Sequence, residues 1–240
     1  MRTDIRMTLE MCPLLDGVDS AILNALCQIA VVYRLGKGQN LFMQGEQART
    51  FYIVHRGGVR LVEHTREGKD VNLKVYGPGE VFGLLAISGP YLHPAEIEAI
   101  DDSEIIGFDG QHARAIVMEH PLLGLRVIDT LISHVHDAHR RIRSLAVEKS
   151  ERRLIRALVH LLNKFGTEQD NMIMIDLDVS QRDLAEFTGM THETVNRVLR
   201  VLEEQGLITR SGKQIGTADM VRLHEAIGDV SQFGIGYLLE

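Results

Sequence analysis

Cysteine is scarce in this 240-residue chain, and Cys12 and Cys27 are the only two. Two are too few for a disulfide framework, a four-cysteine zinc site or an all-cysteine iron–sulfur cluster. Both read as small reduced hydrophobes, and no iron–sulfur cluster is expected. Long apolar runs are missing as well. No stretch approaches the roughly 18 residues that a membrane span needs, and MRTDIRMTLEMCPLLDG at the N-terminus lacks the basic-then-apolar order of a secretion signal. A cytoplasmic, soluble chain with no membrane partner is expected. Catalytic signatures are also lacking: there is no phosphate loop, nucleophile elbow, HExxH or kinase-like motif, so an enzyme is not expected. Positive charge is short overall, with a formal net charge of −7. That average argues against a nucleic-acid partner, because counterion release requires Lys and Arg against phosphate. Placement matters more than the sum, however, and Arg182, Arg197, Arg200, Arg210 and Lys213 all fall in one C-terminal stretch.

What is present is an organised alternation of textures. At 45% hydrophobic the chain can bury a core, and its length favours two domains. Residues 14–30 place Leu15, Val18, Ile22, Leu23, Leu26 and Ile29 at helical spacing, with Asp19 and Ser20 as cap residues, so a short opening helix is expected there. From Val31 to Asp109, apolar stretches such as Phe51-Tyr52-Ile53-Val54 and Val59-Arg60-Leu61-Val62 are punctuated by turn signals. These are Gly36-Lys37-Gly38, Gly45-Glu46, Gly57-Gly58, Glu67-Gly68-Lys69 and Gly77-Pro78-Gly79, at intervals suited to short hairpin-connected strands. An antiparallel β-barrel or roll follows.

Beyond Gly110 the glycines thin out. Ile128, Leu131, Val135, Ala138, Ile142 and Leu145 recur three and four apart, a narrow seam that wants a parallel copy of itself, and dimerisation along this helix is expected. Packing of the same seam on the chain's own barrel is the alternative. His134, His136 and His139 also lie on this helix, but without a suitable carboxylate they read as a solvated face and no firm metal site is assigned. A third block starts near Glu148 with a helix to about Phe165, then strand-like Met172-Ile173-Met174-Ile175. The expected domains are 1–120, a β-roll; 121–148, the helix that carries the seam; and 149–240, a C-terminal domain.

The most specific segment is SQRDLAEFTGMTHETVNRVLRVLEEQ, residues 180–205. Ser180 with Asp183 forms an N-capping pattern, Gly189 tolerates the positive φ of a sharp turn, and Thr191 caps a second helix. On that helix Val195, Val198, Leu199 and Leu202 share one face, while His192, Glu193, Asn196, Arg197 and Arg200 look outward. One docking face and one face of planar donors and acceptors is what a recognition helix requires. Arg197 can fork onto guanine O6 and N7, and Glu193 can accept from cytosine N4; a purely local role of Glu193 at the helix dipole is the alternative. His192 and Asn196 are candidates for base or phosphate contact. Ser180, Gln181, Thr191 and Thr194 are candidates for phosphate contact at helix starts. Gly206–Ile215 reads as a β-hairpin wing turning at Ser211-Gly212, with Arg210 and Lys213 at its tip.

These residues carry a family resemblance. ETVNRVLRVLEEQGLI, Glu193–Ile208, resembles the recognition helix and wing entry of the cyclic-AMP receptor protein and fumarate–nitrate regulator (CRP/FNR) family. FMQGEQARTFYIVHRGGVRLV, Phe42–Val62, followed by GPGEVFG at Gly77–Gly83, resembles that family's sensor, and the likeness runs from about Leu14 to Leu223. It implies an α+β chain: an N-terminal antiparallel β-roll of the cyclic-nucleotide-binding, jelly-roll type, a long dimerisation helix and a C-terminal winged helix-turn-helix. It further implies a homodimer on double-stranded DNA, at a pseudo-palindromic site with TGA-like half-sites read by Glu193 and Arg197, and RNA polymerase as a partner. His192 stands where relatives carry Arg or Val, which leaves the outer base open; so is the choice between activator and repressor.

The resemblance places the effector pocket at Phe82, Gly83, Leu84, Leu85, His93, Pro94 and Ala95. Cyclic-nucleotide binders have a ribose-holding glutamate where this chain has Leu84, and an arginine and hydroxyl residue at about His93 and Pro94. An apolar side chain, a neutral imidazole and a residue without an N–H cannot replace them, so cyclic AMP is not the expected effector. Haem sensing nitric oxide or another diatomic gas is a candidate, with His93, His64 or His55 as axial ligand. A regulator without effector is a further alternative. So is a regulatory or small-molecule-binding protein that uses the roll without controlling DNA.

Overall fold

The computed structural model describes residues 2–64, 70–212 and 214–227. The expected turn at Glu67-Gly68-Lys69, the wing residue Lys213 and the tail 228–240 lie outside the described residues. The chain forms two compact units that divide between Arg141 and Ile142.

The first unit opens with α1 (Arg2–Met11), a 3-10 turn at Pro13–Leu15 and α2 (Ser20–Ile29). The helix expected within residues 14–30 is α2, starting at Ser20 and capped by Asp19, which accepts from Ala21 N at 2.8 Å; α1 precedes it, so it is the second helix and not the opening one. Ile5, Leu9 and Cys12 supply the buried face at the N-terminus. Strands follow as β1 (Val31–Leu35), β2 (Asn40–Phe42), β3 (Thr50–Arg56), β4 (Val59–His64), β5 (Asp70–Tyr76) and β6 (Val81–Phe82). After the short α3 (Leu85–Ser88) come β7 (Glu96–Ala99), β8 (Ser103–Asp109), α4 (Gly110–Glu119) and the long α5 (Pro121–Val147).

Two antiparallel four-stranded sheets, ordered β1-β8-β3-β6 and β2-β7-β4-β5, make the expected roll. Strand β3 explains why its sequence shows an unbroken apolar run rather than alternation: both of its faces are covered. Phe51 and Ile53 join Ile106 and Phe108 under the helices, while Tyr52 and Val54 point into the roll with Phe42, Val59, Tyr76, Phe82, Ile97 and Ile105. Gly110 fixes the seam between β8 and the helices. A Cβ there would lie 2.3 Å from Ala86 O, so only glycine lets α4 start this close to α3.

Helix α5 carries two stripes. Leu123 is buried and Val127, Thr130, His134, Asp137 and Arg141 are half-buried. The other stripe, Ile128, Leu131, Val135, Ala138, Ile142 and Leu145, is exposed. Residues of α5 up to Arg141 belong to the same compact unit as the roll.

The second unit contains α6 (Ser150–Phe165), β9 (Gly166–Gln169), β10 (Met172–Ile175), α7 (Gln181–Thr188), α8 (His192–Glu204), β11 (Thr209–Ser211), β12 (Gln214–Thr217) and α9 (Met220–Ile227). Its sheet has the order β11-β12-β10-β9. The hairpin β9–β10 turns through Asp170 and Asn171, both at positive φ (47° and 62°), the left-handed pair that a two-residue turn demands. Helix α6 packs on α7, α8 and α9, and Leu154, Leu158, Leu184, Val195, Leu199, Leu202 and Leu223 are at most 1% exposed. At about 1.5–3 kcal/mol for each large side chain withdrawn from water, this core holds α8 firmly by its inner face.

Candidate nucleic-acid interface and sensor pocket

The helix-turn-helix is built by local chemistry. Ser180 Oγ accepts from Asp183 N at 3.1 Å and Asp183 Oδ2 accepts from Ser180 N at 2.8 Å, a reciprocal box that starts α7. Gly189 ends the helix in the left-handed region at φ +64°, and Met190 N donates to Ala185 O at 3.0 Å. Thr191 then caps α8, its Oγ1 accepting from Thr194 N at 3.2 Å, with the two hydroxyls 2.9 Å apart. Much of the bonding capacity of Ser180, Thr191 and Thr194 is thus committed to shaping the turn.

Helix α8 divides as its sequence pattern requires. Val195, Val198, Leu199 and Leu202 are buried, His192, Glu193, Arg197 and Arg200 are exposed, and Thr194 and Asn196 are half-buried. Asn196 Nδ2 lies 3.3 Å from His192 Nδ1, which ties these two residues one turn apart. Arg200 pairs with Glu204 at 3.0 Å and Arg182 with Glu186 at 2.9 Å. The Arg200–Glu204 pair is exposed on both sides, an i,i+4 kind worth about 0.3–0.5 kcal/mol, so Arg200 is readily exchanged onto a phosphate. Glu193 and Arg197 have no side-chain partner among the described residues. Gln181 is half-buried at the start of α7.

On the wing, Arg210 is not displayed at the tip. It sits on β11 and binds Glu203 of α8, from Nε at 2.9 Å and through Nη2. Those bonds hold the Glu203 carboxyl below its ordinary range. Sequence patterning missed Glu203 as the partner because the pair joins two elements seven residues apart.

The expected sensor residues divide between the two sides of one sheet. Phe82 is inside the roll, its ring 5.2 Å from both Tyr52 and Tyr76 and 6.3 Å from Phe42. Leu84 belongs to the cluster under the helices instead, because the chain turns away at Gly83 (φ +74°) and enters α3; Leu85 is half-buried on that helix. His93 is 5% exposed and stacked on Phe42 with ring centres 3.6 Å apart. Burial pushes its pKa below the ordinary imidazole value. Ala95 is buried and Pro94 exposed.

The other two histidines named for haem are also engaged. His64 Nε2 is 2.8 Å from Glu96 Oε1, and His55 Nδ1 is 2.6 Å from Thr8 Oγ1. His55 lines a cavity of about 270 Å³ with Asp4, Ile5, Val32, Arg34, Arg56 and Glu104. Its pKa is lowered, first by burial and then by Arg56. Among the described residues no three His, Cys, Asp or Glu side chains gather as a metal site, and no helix is long and apolar enough to cross a membrane.

Comparison with known proteins bears on both units. Residues 33–120 match the model of the cyclic nucleotide-binding domain, and residues 152–226 that of the Crp-like helix-turn-helix domain. The chain is 24% identical over 207 residues to a CRP-like cAMP-activated global transcriptional regulator of Mycobacterium tuberculosis (strain CDC 1551 / Oshkosh), covering 86% of this chain and 92% of that one. It is 25% identical to the anaerobic regulatory protein of Bacillus subtilis (strain 168), over 83% of this chain and 85% of the relative. Among solved structures, FixK2 from Bradyrhizobium japonicum superposes with a TM-score of 0.74 at 25% identity, covering 82% of this chain and 96% of that chain.

Proposed function

The chain belongs to the CRP/FNR family of transcription regulators, and from that premise we propose that it binds a pseudo-palindromic duplex as a homodimer and reads TGA-like half-sites with Glu193 and Arg197. The observation that carries this reading is the state of those two side chains: exposed, without a partner among the described residues, on a helix whose opposite face is locked into the core. A planar donor fork and a carboxylate held ready on one outward face match guanine and cytosine edges. Arg182, Arg200 and Gln181 fit phosphate, Ser180 being spent on the capping box with Asp183, and the His192–Asn196 couple reads or brushes the outer base. The exposed seam from Ile128 to Leu145 supports dimerisation: six apolar positions left in water on a heptad pattern favour a copy of the same helix. Recruitment of RNA polymerase by the bound cytoplasmic dimer belongs to the same reading.

Cyclic AMP is not the effector in this proposal. Leu84 lies in the cluster under the helices, and His93 is buried with one ring face stacked on Phe42. A haem effector would require His93, His64 or His55 to leave its present partner. A Soret band in the purified chain would reopen that version and its gas-sensing chemistry.

Selection from a random duplex pool, with the mass of the complex measured, tests the proposal. Recovery of an inverted repeat bound by two chains is expected. Recovery of no preferred sequence would favour a small-molecule-binding protein without control of DNA, and one chain per selected site would remove the homodimer.

A further inference from the structure

We infer that the sensor roll is closed by this chain's own side chains, with Lys74 as a tethered latch onto α5, so that the helix is held against the roll without a bound effector. The inference rests on the regulator reading above and assigns the regulation of that same sensor. Its basis is what occupies the space between the roll interior and α5. Lys74 Nζ lies 3.3 Å from Asp137 Oδ2 and 5.1 Å from the centre of the Tyr76 ring. Its side chain is 18% exposed. One turn earlier on α5, His134 meets the Tyr76 ring edge-on at 6.2 Å; one turn later, the Arg141 guanidinium donates to the backbone oxygen of Leu73. Three successive turns of the inward stripe are thus tied to one strand, β5, which is the edge of its sheet. Arg141 satisfies a carbonyl that the edge would otherwise present.

Tyr76 carries the tie inward. Its ring packs on Phe82 at 5.2 Å, Phe82 stacks on Tyr52 at 5.2 Å, Phe42 lies 5.7 Å from Tyr52, and His93 stacks on Phe42. Five rings and an imidazole, with Tyr33 edge-on to Tyr52 at 5.8 Å, fill the middle of the roll. Burial raises the Tyr76 phenol above its ordinary pKa, so it stays neutral there. Burial would also raise the Asp137 carboxyl, yet Lys74 and Arg140 beside it hold it below the usual carboxylate range. The cation that completes this junction is covalently attached, so ordering it costs none of the translational freedom that a free ligand would lose.

The test follows hydrogen exchange over residues 134–141 in the full chain, before and after unfolding in guanidinium, desalting and refolding. Equal protection in both preparations, unchanged by added cyclic AMP or haemin, is expected. Lys74→Met should speed exchange of that segment about tenfold while β3 and β8 keep their protection, and Lys74→Arg should restore most of it. The Met and Arg variants compared in never-unfolded protein decide the matter if refolding fails. Protection that disappears on refolding and returns with cyclic AMP or haemin would overturn the inference, as would a Met variant that exchanges like the parent. Because exchange is read without DNA, intact protection in a chain that binds no duplex would sustain the latch and remove only the DNA-reading proposal.

Discussion

Arg210 on the wing donates from Nε to Oε2 of Glu203 on the recognition helix at 2.9 Å, so the wing's arginine is held back by the helix it flanks. Glu203→Gln removes the charge that holds it. A freed Arg210 should reach phosphate, strengthening binding to random duplex and steepening the slope of log affinity against log salt by about one. An unchanged slope would mean that Arg210 serves only to fasten β11 to α8.

The exposed stripe on α5 makes a prediction about assembly. Leu131 and Val135 are 46% and 51% exposed in the single chain. Substituting Leu131→Asp places a charge at the seam of both protomers. With about 1.5–3 kcal/mol per buried leucine side chain, counted twice per dimer, dissociation should rise by at least roughly 100-fold. Sedimentation equilibrium reads this directly, and a variant that remains dimeric would show that the seam lies elsewhere.

The two thiols should differ in reactivity. Cys12 is 1% exposed, and burial pushes its pKa up to about 11, leaving almost no thiolate near neutrality. Cys27 is half-buried. A disulfide-exchange reagent at pH 8 should label Cys27 first, with Cys12 reacting only as the chain unfolds. Rapid reaction of both would contradict the packing of α1 over the roll.

Acid should weaken the second unit through Glu148. Burial raises its carboxyl, but Arg156, 2.6 Å away at Nη2, and the Ser144 hydroxyl more than offset this and hold it below the ordinary range. A group with a depressed folded pKa binds fewer protons folded than unfolded. Its stabilisation is therefore complete above the unfolded value, about 4.3, and is lost as pH falls through the lower folded value. Glu148→Gln should cost about 1 kcal/mol at pH 7 and progressively less as the pH is taken below about 4, as measured by denaturant unfolding of the full chain. An equal cost at both pH values would assign the effect to packing.

What could be read from sequence followed the range of the interactions. The caps at Ser180 and Thr191, the turn at Gly189 and the inner face of α8 all depend on neighbours within a few residues, and the α7–α8 motif was legible from them. The apolar texture of β3 and the turns around it announced the roll for the same reason. Helix α1 is short and interleaves polar residues with only two buried apolar positions, Ile5 and Leu9, too few to establish a helical period in sequence. Strand β9 is a polar edge, Gly-Thr-Glu-Gln, with no alternation to reveal it. The sensor residues were grouped by a linear motif, whereas Gly83 sends Phe82 and Leu84 to opposite sides of the sheet. The pairs Lys74–Asp137 and His64–Glu96 join positions more than 30 residues apart, which periodicity does not record.

The central claim is that the outward face of α8 reads base edges, and competition binding with Arg197→Ala tests it most directly. The account predicts a loss of about 1–3 kcal/mol on the selected duplex with affinity for scrambled duplex nearly unchanged, in a variant that remains folded and dimeric. Equal losses on the two duplexes would make Arg197 a phosphate contact and contradict the claim.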